Sequence, residues 1–89
     1  MERKVILVTG ASRGIGRAIA KELAEEGHKV IANYNKSKEK AEELKAELKQ
    51  KSIELDIYKA DVSEREEISQ MVSYVLNKYG KIDVLVNNA

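Results

Sequence analysis

Apolar and polar positions along this chain switch repeatedly between a continuous or two-residue pattern and a helical one. Lys4-Val5-Ile6-Leu7-Val8-Thr9 is a short run rich in β-branched residues and predicts a strand buried on both faces. Ile15, Ala18, Ile19 and Leu23 then recur at helical spacing, and Gly27 stands where a helix end favours a left-handed residue. Lys29 to Tyr34 predicts a second strand. Ser37 is placed to cap a charged helix from Lys38 to Lys49, with Ala41, Leu44 and Leu48 on one face. The third strand is expected within Ser52 to Ala60. Ser63 and Glu66 have the spacing of a reciprocal capping box. The helix it opens carries Ile68, Met71, Val72, Val75, Leu76 and Tyr79 as its apolar pattern, and Gly80 is the expected stop. Asp83 to Asn87 predicts the fourth strand.

Strands that alternate with helices in this way imply right-handed crossovers and a parallel sheet covered on both faces. The expected fold is a three-layer α/β/α arrangement with strand order 3-2-1-4, its topological switch point lying between strands one and four.

Composition narrows the function classes. The 89 residues are enough for one small domain spanning 1–89. With 16 Lys+Arg against 15 Asp+Glu there is no broad basic field, so no nucleic-acid partner is expected. The absence of Cys excludes disulfides and thiolate metal sites, and His28 alone cannot build a metal cluster. No apolar run approaches the roughly 18 residues that span a bilayer. The run after Met1-Glu2-Arg3-Lys4 is too short for a signal peptide, so a cytoplasmic location is expected.

The candidate chemistry lies in Thr9-Gly10-Ala11-Ser12-Arg13-Gly14-Ile15-Gly16, between the first strand and the first helix. A dinucleotide pyrophosphate needs a tight turn, close backbone approach and the free amides of a helix N-terminus. Gly10 can supply the turn, Gly14 removes a side chain from the phosphate path, and Gly16 lets the helix pack closely. A P-loop is excluded because no Gly-Lys-Ser/Thr follows.

This motif resembles the cofactor loop of classical short-chain dehydrogenases/reductases. Asp61-Val62 after the third strand and Asn87-Asn88-Ala89 after the fourth match the same family in register. The run Val8 to Ala20, with Asn33-Tyr34, is most similar to the 3-oxoacyl-acyl-carrier-protein reductases within it. The resemblance implies a Rossmann-like nucleotide-binding half-domain. It implies cofactor contacts from Gly10, Ser12, Arg13, Gly14, Ile15 and Gly16. Asp61 is implied as acceptor for the adenine amino group, with the Val62 amide against the ring. Asn87 is implied to hold neighbouring segments together, and Asn88 and Ala89 to line the adenosine ribose. An Asx-type turn ahead of Ser63 remains an alternative, compatible role for Asp61.

The second strand ends Ala32-Asn33-Tyr34-Asn35-Lys36-Ser37, without the acid that usually holds an unphosphorylated ribose. Arg13 stands in the glycine loop, where the family often sets a base against the 2′-phosphate, and Asn35 or Lys36 can add a contact. NADP(H) is therefore the expected cofactor.

The resemblance further implies a catalytic Ser, Tyr and Lys beyond Ala89, and a homo-oligomeric parent protein. Within these residues Tyr74 and Lys78 have the family's Tyr-x-x-x-Lys spacing. They are read as an ordinary surface pair one helical turn apart, on a helix away from the nicotinamide side, beside a packing face of Val72, Val75 and Leu76. The 89 residues alone are expected to bind cofactor and to lack turnover. Three readings stay open: part of an NADPH-dependent reductase, a binding module without chemistry, or a piece completed by another chain. Val84-Leu85-Val86 is expected to offer an apolar edge for such pairing.

Overall fold

The computed structural model describes residues 2–88. Seven elements follow in order: β1 (Val5–Val8), α1 (Gly14–Glu25), β2 (Lys29–Tyr34), α2 (Lys38–Lys49), β3 (Asp56–Lys59), α3 (Arg65–Tyr79) and β4 (Val84–Val86). The strands form one parallel sheet in the order β3-β2-β1-β4, as the alternation predicts.

Side-chain alternation along the strands splits the core in two. Ile6, Val8, Val30 and Ala32 point to one face and pack with Ala20 and Ala24 of α1, Leu44 and Leu48 of α2, and Leu55. Val5, Leu7 and Ile31 point to the other and pack with Met71 and Val75 of α3. Central β1 is flanked by β2 and β4 and has helices on both faces, so all four of its residues are buried. Each fully buried Leu or Ile contributes about 1.5–3 kcal/mol relative to exposure.

The helix faces depart from expectation in detail. In α1 the buried positions are Gly16, Ala20 and Ala24, while Ile15 is 73% exposed and Ala18 is also exposed. Small residues at this four-residue spacing bring the helix axis close to the sheet, and Ile19 and Leu23 fill the flank. In α3 only Met71 and Val75 are buried, and Leu76 is exposed.

The expected Ser63–Glu66 capping box is absent. Asp61 Oδ1 accepts from both the Ser63 amide (2.9 Å) and its hydroxyl (2.7 Å). That spends the hydroxyl on a turn and delays the helix to Arg65, with Glu64 as N-cap. Glu67, one residue later than expected, reaches back to the Asp61 amide at 2.9 Å. Ser37 does precede α2, yet its side chain makes no capping bond. Gly80 ends α3 at φ 83°, a left-handed conformation that glycine adopts without penalty.

Candidate nucleotide-binding site

The glycine loop joins the C-terminal end of β1 to α1. Gly10 has φ 60° and Gly14 φ 61°, values that cost little only without a Cβ. At Gly10 this conformation lets the amide donate to Asn33 Oδ1 at 3.2 Å while the carbonyl accepts from Asn88 Nδ2 at 3.2 Å. The Ala11 amide donates to the Asn33 backbone carbonyl at 2.8 Å. Among the described residues, no partner meets the amides of Ser12, Arg13, Gly14, Ile15 or Gly16. They form the unsatisfied N-terminus of α1, where partial positive charge collects.

Gly16 serves a closer contact than helix-on-strand packing. A Cβ there would lie 2.3 Å from the Gly10 carbonyl oxygen and 2.5 Å from Asn88 Nδ2. The first turn of α1 thus rests on the loop itself. Space around Gly14 is open for at least 4 Å.

A cleft of about 430 Å³ opens above the ends of β1 and β2, lined by Gly10, Ser12, Arg13, Asn35, Lys36 and Ser37. It contains two cations and no carboxylate. Arg13 is exposed and extended (φ −148°) at the N-cap of α1, and it lines the cleft together with Asn35 and Lys36. Ser37 was assigned only a capping role from sequence, and it lines the cleft instead. Arg17 braces the rim, donating to the Lys40 carbonyl at 2.7 Å and the Ser12 carbonyl at 3.4 Å. A second cavity, of about 360 Å³ between Arg3, Gly27, His28, Ser52 and Glu54, lies at the opposite strand ends, away from the loop.

Asp61 follows β3 at the same end of the sheet. Hydrogen bonds from the Ser63 hydroxyl and amide, with Lys36 nearby, hold its carboxyl below the usual carboxylate range. The Asx-type turn is therefore formed, and Lys36 connects this turn electrostatically to the cleft. Val62 is half-buried against the α3-side core. Ile15 stands outward beside the loop.

After β4, the Thr9 hydroxyl accepts from the Asn88 amide at 2.9 Å and donates to Asn87 Oδ1 at 3.2 Å. Asn87 and Asn88 thus tie the ends of β1 and β4 together. Ala89 lies outside the described residues.

The Tyr74–Lys78 pair is more than a surface pair. Asp56 Oδ2 accepts from Tyr79 (2.6 Å), Tyr74 (2.7 Å) and Lys78 (3.2 Å), and Lys78 Nζ lies 3.2 Å from the Tyr74 hydroxyl. The Tyr58 ring stacks obliquely on Tyr74 at 4.8 Å. The surface reading fails because the first residue of β3 presents a carboxylate to the end of α3, which spacing within the helix does not reveal. Asp56 begins its strand, whereas the glycine loop follows the end of β1, so the cluster does not reach the cleft.

Sequence reasoning gave Asn33 no site role. Its side chain is 2% exposed, accepts from Gly10 and donates to the Ala60 carbonyl at 3.1 Å. The available signal was a carboxamide inside the apolar run Val30 to Tyr34, since a buried polar side chain must find partners.

Known proteins agree with this geometry. The chain is 51% identical over 86 residues to the 3-oxoacyl-acyl-carrier-protein reductase of Staphylococcus epidermidis, covering 97% of this chain and 35% of that protein. A metagenomic short-chain oxidoreductase in complex with NADP superposes with TM-score 0.89 at 38% identity, over 97% of this chain and 38% of that one. A variant actinorhodin polyketide ketoreductase with NADPH gives TM-score 0.87 at 40% identity, over 98% and 33%. The chain spans about a third of the length of these relatives. The short chain dehydrogenase profile matches residues 4–89, and with the loop, sheet order and strand-end asparagines in place the chain belongs to the short-chain dehydrogenase family.

Proposed function

We propose that residues 1–89 form the half-domain that holds the adenosine and pyrophosphate of NADP(H) in a short-chain reductase of 3-oxoacyl thioesters. The carrying observation is the cleft lined by Arg13 and Lys36, with no carboxylate and with free amides at the start of α1. That donor set fits a ligand bearing several phosphates. The amides of residues 12–16 and open space at Gly14 suit the pyrophosphate. Arg13, with Lys36 and Asn35, suits the 2′-phosphate, and a charge-assisted bond there is worth roughly 1.5–3 kcal/mol. Asp61 and Val62 are assigned to the adenine. Asn88 is assigned to the ribose side along with Ala89. NADP in one structural neighbour and NADPH in another support this cofactor. The name of the Staphylococcus epidermidis relative supports a 3-oxoacyl group on acyl-carrier protein as the substrate.

Bound NADPH supplies a hydride, and these residues bind and orient the end of the cofactor remote from it. Proton transfer and substrate recognition are assigned to chain outside 1–89, in a homo-oligomeric cytoplasmic enzyme. No helix among the described residues is long and apolar enough to cross a membrane.

Calorimetric titration with NADPH and NADH tests this reading. NADPH is expected to bind roughly 10- to 100-fold more tightly, with the difference lost in Arg13→Ala. Equal affinities in the unmodified chain would refute it. A second reading, completion by another chain, is favoured by β4, where Leu85 is 58% exposed on the open edge of the sheet.

A further inference from the structure

Asn33 joins the glycine loop to the end of β3, and its own side chain does not line the nucleotide cleft. It is the second-last residue of β2, between β1 and β3. On one side its Oδ1 accepts from the Gly10 amide at 3.2 Å, and its backbone carbonyl accepts from the Ala11 amide at 2.8 Å. On the other its Nδ2 donates to the Ala60 carbonyl at 3.1 Å, immediately before Asp61. The next residue continues the link, with the Ala60 amide donating to the Tyr34 carbonyl at 2.9 Å. A carboxamide is the neutral side chain that can accept at one end and donate at the other. Threonine can offer one oxygen to one side, and an apolar residue removes this partner from both the half-buried Gly10 amide and the buried Ala60 carbonyl.

We propose that Asn33 is a positioning residue that fixes the glycine loop relative to the β3–α3 turn, and so sets the span available to a phosphorylated adenosine. The proposal rests on the cofactor reading above. The physical demand is specific. A ligand whose pyrophosphate meets the amides of residues 12–16 and whose adenine meets Asp61 must bridge two loops separated by β2. The Asn33 side chain takes the Gly10 amide and its backbone carbonyl takes the Ala11 amide, which leaves the amides of residues 12–16 for a ligand. Loss of the carboxamide removes one hydrogen bond from Gly10 and one from Ala60 together, and displacements of under an ångström at such a site weaken binding.

The test uses the full 89-residue chain and adenosine 2′,5′-bisphosphate alongside NADPH. Binding of NADPH to the unmodified chain checks the cofactor reading by itself, and failure at that step counts against that reading alone. Asn33→Ala is expected to lose roughly 10- to 100-fold in affinity for both ligands, measured where circular dichroism shows the chain folded. Ile31→Val, a core change in the same strand, is expected to lower the melting temperature and leave affinity within about twofold. Asn33→Thr, which keeps one oxygen and suits a strand, should fall between and covers the case in which Asn33→Ala does not fold. In a double-mutant cycle with Asp61→Ala, the Asn33 effect on adenosine bisphosphate should shrink several-fold, because its action runs through the position of that turn. Affinity within twofold of the unmodified chain in a folded Asn33 variant, or effects that simply add to those of Asp61→Ala, would overturn the proposal.

Discussion

The Tyr79 hydroxyl donates to Asp56 Oδ2 at 2.6 Å, across the gap between the end of α3 and the start of β3. Burial pushes the Asp56 carboxyl up, but hydrogen bonds from Tyr79, Tyr74 and Lys78 outweigh it and hold the group below the usual carboxylate range. A lowered folded-state pKa stabilises the fold above the unfolded value of about 3.9 and loses that contribution as pH falls through the folded value. Thermal stability is therefore expected to drop on acidification below about pH 4. Burial and Asp56 push the Tyr79 hydroxyl up. Its contribution is present below the unfolded value of about 10 and lost as pH rises beyond it. Tyr79→Phe should cost about 1 kcal/mol at neutral pH and flatten both limbs of the melting profile. Unchanged limbs in the variant would refute the assignment.

Gly16→Ala tests the contact beneath the glycine loop. The new methyl would meet the Gly10 carbonyl oxygen, a backbone atom that cannot rotate away. Overpacking of this kind costs about 1–3 kcal/mol. At roughly 4–8 °C per kcal/mol for a domain of this size, a loss of several degrees in melting temperature is expected. NADPH binding should weaken along with it. A melt equal to that of the unmodified chain would show that the loop yields easily.

The open edge of the sheet gives a third expectation. Val84 and Leu85 are 37% and 58% exposed on β4, which among the described residues pairs with β1 alone. At about 0.8 kcal/mol per buried methylene, covering them is worth a sizeable part of a small domain's stability. The 89-residue polypeptide is expected to self-associate through β4, with sedimentation velocity rising across a concentration series. Leu85→Lys should abolish the rise. A micromolar monomer indifferent to that change would exclude the edge as the contact.

Tyr74 and Lys78 give a fourth. Their hydroxyl and ammonium are committed to Asp56, away from the cleft. Residues 1–89 are expected to oxidise NADPH with a 3-oxoacyl thioester no faster than background, and Tyr74→Phe should change only stability. Turnover removed by Tyr74→Phe would place chemistry in this cluster.

The alternation of strands and helices was legible because the two periods differ sharply, and the bounds of β2 and α2 match the sequence reading. The glycine loop was legible because its residues are contiguous. Partners remote in sequence were not. Nothing near Asp56 announces Tyr74 and Tyr79, and nothing near Asn33 announces Gly10 and Ala60, since the sheet order brings each set together. The Ser63 cap failed for a local reason: Asp61 competes for the same hydroxyl and amide. Ile15 was misplaced because apolar spacing alone does not show that the small residues face the sheet.

The placement of β1 at the centre of the sheet also bears on how the chain acquires its shape. Val5 donates its amide to the Asp83 carboxylate, a partner 78 residues away, whereas β1 and β2 are joined through one helix. Closure of so long a segment has an entropic cost that must be met before the contact repays it. The β1–β2–β3 unit can assemble early, while one side of β1 waits for β4. During synthesis, the backbone of Val5 to Val8 stays open on that side until residue 86 has left the ribosome. Pulse-labelled amide exchange should show protection at the β1–β4 seam arriving last. The interval before it closes is when nascent chains of this protein are most exposed to pairing with one another.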